Sequence, residues 1–274
     1  MRLPARTSTT QLVLLAAIIF LALGASAATT LDADSETGGL FSKSSTLGTL
    51  DITDSPTVMR YQYVDVKFDD LIGEDGSPRS TEPGHTLLLN LFDDVVYTAL
   101  LDRVEYNPEN DFTWLGHLQG EPYSQVILVV GDGVLVGNIT MPDASFQVRY
   151  AGNGVHAVSE IDRSAFPPEL PPVPAPTGDG AATPSSLVGE DAQPTIDLLV
   201  VYTSAAKTSA GGSKRMRELI NLAVAETNQS YENSQLDQRL NLVHFEEVDY
   251  DEETFPEALS HLTHRTDGVM DNVH

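Results

Sequence analysis

The sequence has no cysteine in its 274 residues, which excludes structural disulfides and thiolate metal ligands. Cations are scarce as well: 15 Lys and Arg stand against 40 Asp and Glu, for a net charge of −25, and only four of the cations are lysines. A surface this acidic repels a phosphate backbone or an anionic lipid face, so nucleic acid is not an expected partner. After residue 27 no apolar stretch reaches the roughly twenty residues needed to span a bilayer, so no membrane partner is expected once the N-terminal segment is gone. The 41% hydrophobic content is enough for ordinary cores.

What the chain does contain begins with a secretory layout. Residues 1–27 carry Arg2 and Arg6, an apolar run from Leu12 to Leu23, and the small residues Ala25-Ser26-Ala27, as a cleavable signal peptide does. The mature chain is expected to start near Ala28 and to be extracellular. Residues 28–57, rich in Ser, Thr, Gly and Asp, read as a flexible N-terminal segment. Residues 58–166 are β in texture. VMRYQYVDVKF, TLLLNLF, VVYTALL, FTWLGHL, QVILVV, VLVGNIT, SFQVRY and VHAVSEI follow one another at short intervals, with Gly131-Asp132-Gly133, Pro142-Asp143 and Gly152-Asn153-Gly154 as tight turns. That spacing predicts an antiparallel sandwich or barrel. Trp114 reads as a core anchor, and His117 and His156 as hydrogen-bonded residues of the β region. Residues 167–194 hold eight of the sixteen prolines and read as an exposed linker, a preferred site for proteolysis.

From Thr195 the pattern changes. Ile196 to Thr203 is a short, nearly all-apolar run that predicts a strand buried on both faces. Met216, Leu219, Ile220, Ala223, Val224, Thr227 and Tyr231 then fall on one stripe of a helix starting at an N-capping Ser213. Arg239 to Tyr250 is strand-like again, so the segment reads as a parallel strand-helix-strand crossover. Thr254 and Glu257 form a capping-box pattern before a short helix from Phe255 to Leu262. Two strands and one short helix leave much of the long helix's apolar surface uncovered.

IDLLVVYT, INLAVAETNQSY and LNLVHFEEVDY resemble the opening of the catalytic domain of secreted bacterial reprolysin-like (adamalysin-like, metzincin) zinc metallopeptidases. The resemblance covers about eighty C-terminal residues and, more loosely, the region before them. It implies zinc held in HExxHxxGxxH, a Glu acting as general base on zinc-bound water, protein or peptide substrates, and a pro-region that partners its own catalytic domain. The histidines are His85, His117, His156, His244, His261, His264 and His274, and none is followed by Glu and then, three residues on, by a second His. The chain therefore carries no zinc ligands and no catalytic residues of that type, and residues 195–274 are expected to be the N-terminal part of a truncated domain. Lacking cysteine, it cannot use a thiol switch for latency. Asp197 matches an acidic residue that helps hold a structural calcium in some adamalysin-like enzymes; the alternative is a strand-entry residue facing solvent. His261 and His264, with Asp267 or His274, could sketch a metal site, or simply suit a helix end.

The expected fold is thus two-domain: an antiparallel β sandwich or barrel pro-region over 58–166, then an incomplete α/β, metzincin-like domain over 195–274. The expected function is that of a precursor fragment of a secreted zinc-dependent metalloendopeptidase. The alternatives are a non-catalytic secreted inhibitor or binding module on a peptidase scaffold, and an extracellular β-sandwich adhesion or envelope protein. Linker exposure predicts that limited proteolysis cuts first between Pro167 and Pro194 and preserves a fragment spanning residues 58–166. Initial cutting between Gln125 and Tyr150 would contradict that reading of the β region.

Overall fold

The computed structural model describes residues 38–49, 55–168, 194–251, 254–264 and 266–273. The expected signal peptide, much of the 28–57 segment, most of the Pro-rich linker, and His274 lie outside them. Nine strands form one antiparallel sheet: β1 (Phe41–Lys43), β2 (Val58–Val66), β3 (Thr86–Phe92), β4 (Val95–Tyr106), β5 (Phe112–Leu118), β6 (Gln125–Gly131), β7 (Val134–Thr140), β8 (Ser145–Gly152) and β9 (Val155–Ile161). From β3 to β9 each strand pairs with the next; β2 then pairs with β9 and β1 with β2.

The two ends of the sheet meet. The Leu40 amide donates to Leu88 O at 2.8 Å. Asn90 of β3 accepts from the Phe41 amide at 2.9 Å and donates back to the Phe41 carbonyl, so its side chain stands in for a backbone partner. One continuous sheet with adjoining ends is barrel-like, which decides between the two architectures expected. The β6–β7 and β8–β9 turns place Asp132-Gly133 and Asn153-Gly154 at positive φ, the two-residue conformation for which Asp-Gly and Asn-Gly are chosen.

Part of the segment expected to be flexible belongs to this sheet. Leu40 is fully buried and Phe41 nearly so, both in the barrel core. Three residues are too short a strand to show periodicity, which is why the sequence pattern passes over them.

Side chains alternate along the strands. Leu87, Leu89, Leu101, Phe112, Trp114, Leu128, Val130, Leu135, Ile139, Phe146 and Val148 fill the interior. On β5, β6 and β7 the other face is buried too, through Leu115, Ile127, Val129, Val134 and Val136. That double burial is the reason QVILVV and VLVGNI read as continuous apolar runs and not as alternation.

The cover on this second face comes from residues after 194. The chain continues as β10 (Thr195–Thr203), α1 (Ser204–Ala210), α2 (Ser213–Asn233), β11 (Arg239–Val248) and α3 (Phe255–Thr263). β10 and β11 are parallel, as the crossover pattern implies, with a register shift between Leu198 and Leu199. α2 lies on β5, β6 and β7, so the barrel and the helix belong to one compact unit. α3 has the predicted capping box at Thr254 and Glu257.

Three details depart from expectation. β10 is not buried on both faces: Ile196 is 45% exposed and Leu199 38%, because only β11 flanks it in the described sheet. Ser213 is the first helical residue; the cap is Gly212, at φ 117°, while the unexpected α1 is capped by the Thr203 hydroxyl accepting from the Ala206 amide at 3.0 Å. Finally, the buried face of α2 is Arg217, Glu218, Ile220, Asn221, Leu222, Ala225 and Asn228, and Ala223 of the predicted stripe is exposed. Barrel contact, not apolar periodicity, decides which side is covered.

Leu128→Ala, which empties a fully buried interior position, should lower unfolding free energy by about 2–5 kcal/mol. Val96→Ala, at a half-exposed position of β4, should cost under about 1 kcal/mol. Urea unfolding at constant slope checks both; equal losses would contradict the assigned barrel interior.

Candidate functional site

The most unusual chemistry among the described residues sits in the seam between α2 and the barrel. Leu222 and Ala225, one turn apart, pack with the half-buried Leu219 on Leu115, Ile127, Val129, Val134 and Val136. Burying a leucine of this kind contributes about 1.5–3 kcal/mol. One turn toward the helix N-terminus the seam becomes charged. Arg217 is 7% exposed, Asp111 from the β4–β5 connection 2%, and Glu218 0%.

The Arg217 guanidinium lies at the centre. Its Nη2 is 2.9 Å from Asp111 Oδ2, 3.2 Å from Glu218 Oε1 and 3.6 Å from Asp132 Oδ2, and its Nη1 donates to Glu109. Asp111 Oδ2 faces the cation out of hydrogen-bond line, and Glu218 Oε2 and Asn221 Nδ2 find no hydrogen-bond partner among the described residues. Lys214 reaches Asp132 at 2.6 Å on the exposed rim. Gly131 closes the floor: a Cβ there would collide with the Asp111 carboxylate and come within 2.8 Å of Glu218 Oε1. Burial pushes the Glu218 carboxyl up to about 7, with Asp111 adding to the rise and Arg217 opposing it. Burial also raises Asp111, again against the pull of Arg217.

Further contacts hold α2 along its length. Arg215 stacks on the Tyr150 ring at 3.7 Å. Arg103 and Arg239 both reach Glu232 Oε2 at 3.1 Å, tying β4 and β11 to the helix end. Asn228 brackets Leu240 of β11, donating to its carbonyl at 3.1 Å and accepting from its amide at 2.7 Å. A cleft of about 430 Å³ runs between the β4–β5 connection, α2 and β11, lined by Tyr106, Asn107, Asn221, Val224 and Leu242 among others.

The residues singled out from sequence lie elsewhere. Asp197 accepts from Asn241 at 2.9 Å on the exposed β10–β11 pair. His261 pairs with Asp267 at 2.8 Å, and His264 Nδ1 donates to the Ser260 carbonyl at 2.7 Å; His274 lies outside the described residues. His117 pairs with Asp102 at 2.9 Å on the surface. His156 is fully buried, accepts from the Leu135 amide at 3.0 Å, and is held down to about 4, by burial first and then by Arg215. Among the described residues no group of three His, Cys, Asp or Glu is placed to hold a metal ion. The charged seam was missed because Asp111 lies about a hundred residues before Arg217 and Glu218 and none belongs to a motif; the one sequence signal was the charged pair Arg217-Glu218 between Met216 and Leu219 of the apolar stripe.

Residues 64–162 match the BamI lipocalin-like domain family, in keeping with the barrel-like sheet. Peptidyl-Asp metalloendopeptidases from two strains of Stenotrophomonas maltophilia are 32% and 31% identical over 198 residues, covering 64% of this chain and 46% of each relative. One from Xanthomonas campestris pv. campestris is 30% identical over 212 residues, covering 70% of this chain and 50% of the relative. The chain is related to metallopeptidases. It spans about half the length of the curated relatives it matches.

Arg217→Ala would leave two buried carboxyls without their cation, and should cost about 3–5 kcal/mol at neutral pH. Lys67→Ala, which removes an exposed pair with Asp70, should cost about 0–1 kcal/mol. Chemical unfolding at pH 7 makes the comparison; similar small losses for both would mean the seam is solvated.

Proposed function

We propose that this chain is the signal peptide, pro-region and opening of the catalytic domain of a secreted, zinc-dependent metalloendopeptidase of the reprolysin-like, metzincin type. The observation that carries the proposal is the extent of the likeness to metalloendopeptidases. Those alignments run over 198–212 residues, well beyond the 99 positions from 64 to 162 that match the lipocalin-like family, so they cannot be confined to the barrel. In this reading the barrel is the pro-region and α2 the first helix of the peptidase. Its outer face supplies the apolar cover that two strands and a short helix cannot, giving the pro-region a role in folding its own catalytic domain. The relatives' name extends the proposal to protein substrates cut at aspartate.

The residues described do not fit a zinc site. His261 and His264 are each engaged by near neighbours, and no set of three ligands converges. Metal and hydrolysis are therefore proposed for the longer protein, through residues this chain does not contain. Calcium at Asp197 would likewise need oxygen ligands from outside the described residues. No helix among the described residues is long and apolar enough to cross a membrane, and secretion rests on the N-terminal layout.

Protein expressed from the complete reading frame should retain about one zinc ion per chain after dialysis. It should cleave casein in a chelator-sensitive way and, once active, show a new N-terminus within residues 167–194. The 274-residue chain should do none of these. A zinc-free, inactive whole protein, or stoichiometric zinc in this chain, would contradict the proposal.

A further inference from the structure

We propose that the seat of α2 on β5, β6 and β7 is a proton-gated interface, in which Asp111 and Glu218 share one proton when the helix is docked and the helix is released as that proton is lost. The inference stands on the seam itself and does not require the peptidase reading. The Asp111 and Glu218 carboxyls converge on one guanidinium nitrogen, at 2.9 and 3.2 Å from Arg217 Nη2, so with both ionised a single buried cation would have to balance two carboxylates. Both are almost wholly removed from water, and a side chain at Gly131 would run into the oxygens of both.

The charges around the pair do not remove the need for that proton. From α2 itself come Arg217, buried and in contact with both carboxyls, and Lys214, exposed and taken up by Asp132. The β4–β5 connection contributes Glu109, which draws on the same guanidinium, and the β6–β7 turn contributes Asp132. One buried cation thus faces two buried carboxyls and two partly exposed ones. With both inner carboxyls ionised the seam keeps an uncompensated negative charge in a place that water cannot reach.

The direction with pH follows. An undocked helix leaves Glu218 in water, where it titrates in the ordinary carboxylate range, while the docked carboxyl titrates near about 7. Between those values the docked state holds one proton more than the undocked state, so docking weakens as pH rises and levels off above about 7. The pair titrates as a unit, and the exchanged proton belongs to both residues. Acidic medium holds the helix on the barrel, and neutral to alkaline medium loosens it.

Hydrogen exchange of the full chain, corrected for the base-catalysed intrinsic rate, reads this directly. Protection of amides in Lys214–Asn228 should fall about tenfold per pH unit between pH 5 and 7. Glu218→Gln, which keeps the shape without the titration, should abolish the slope and leave α2 protected at pH 8; Asp111→Asn should flatten it. Persistence of the slope in both variants would overturn the proposal. If the variants fail to fold, the wild type decides: the slope over α2 supports the gate, and its absence overturns it.

Discussion

The seating of α2 depends on one apolar contact, its packing on the outer face of β5, β6 and β7. A barrel normally buries one face of its strands and solvates the other. Here Leu115, Ile127, Val129, Val134 and Val136 make the second face apolar over three adjacent strands. Such a patch left open would be an association hazard. α2 has the converse need, since β10 and β11 alone cannot cover it. Each surface is completed by the other, which explains why a segment with only two strands can be ordered in this chain.

Against that background the charged end of the seam is costly. Burying Asp111, Arg217 and Glu218 beside an apolar interface forgoes hydration that the ion pair only partly restores. An apolar substitute at these positions would hold the helix as firmly, whatever the pH. The arrangement makes the contact conditional on pH.

Much of the fold was legible locally. The β6–β7 and β8–β9 turns could be placed because Asp132-Gly133 and Asn153-Gly154 suit backbone conformations that most residues avoid. The capping box of α3 and the parallel strand-helix-strand order could be read for similar reasons. What could not be read is set by residues distant in sequence. β1 is held by Asn90 of β3, and a three-residue strand has no pattern of its own. α2 buries Arg217, Glu218 and Asn221 instead of Ala223 because Asp111 and the barrel face, distant in sequence, select that side of the helix. Periodicity reports where apolar residues are, and a charge buried by a remote partner leaves no trace in it. The candidate site was therefore the least legible part of the chain.

The central claim is that barrel and helix form one cooperative unit through this contact. Trp114, the only tryptophan, is buried in the barrel interior, and α2 is the longest helix among the described residues. Tryptophan fluorescence and the helical far-UV signal therefore follow the two sides of the seam separately. In thermal unfolding at pH 5.5 the account predicts coincident transitions with a single midpoint. Loss of the helical signal well before that of Trp114 would contradict it, because the helix would then be a passenger on a barrel that folds without it.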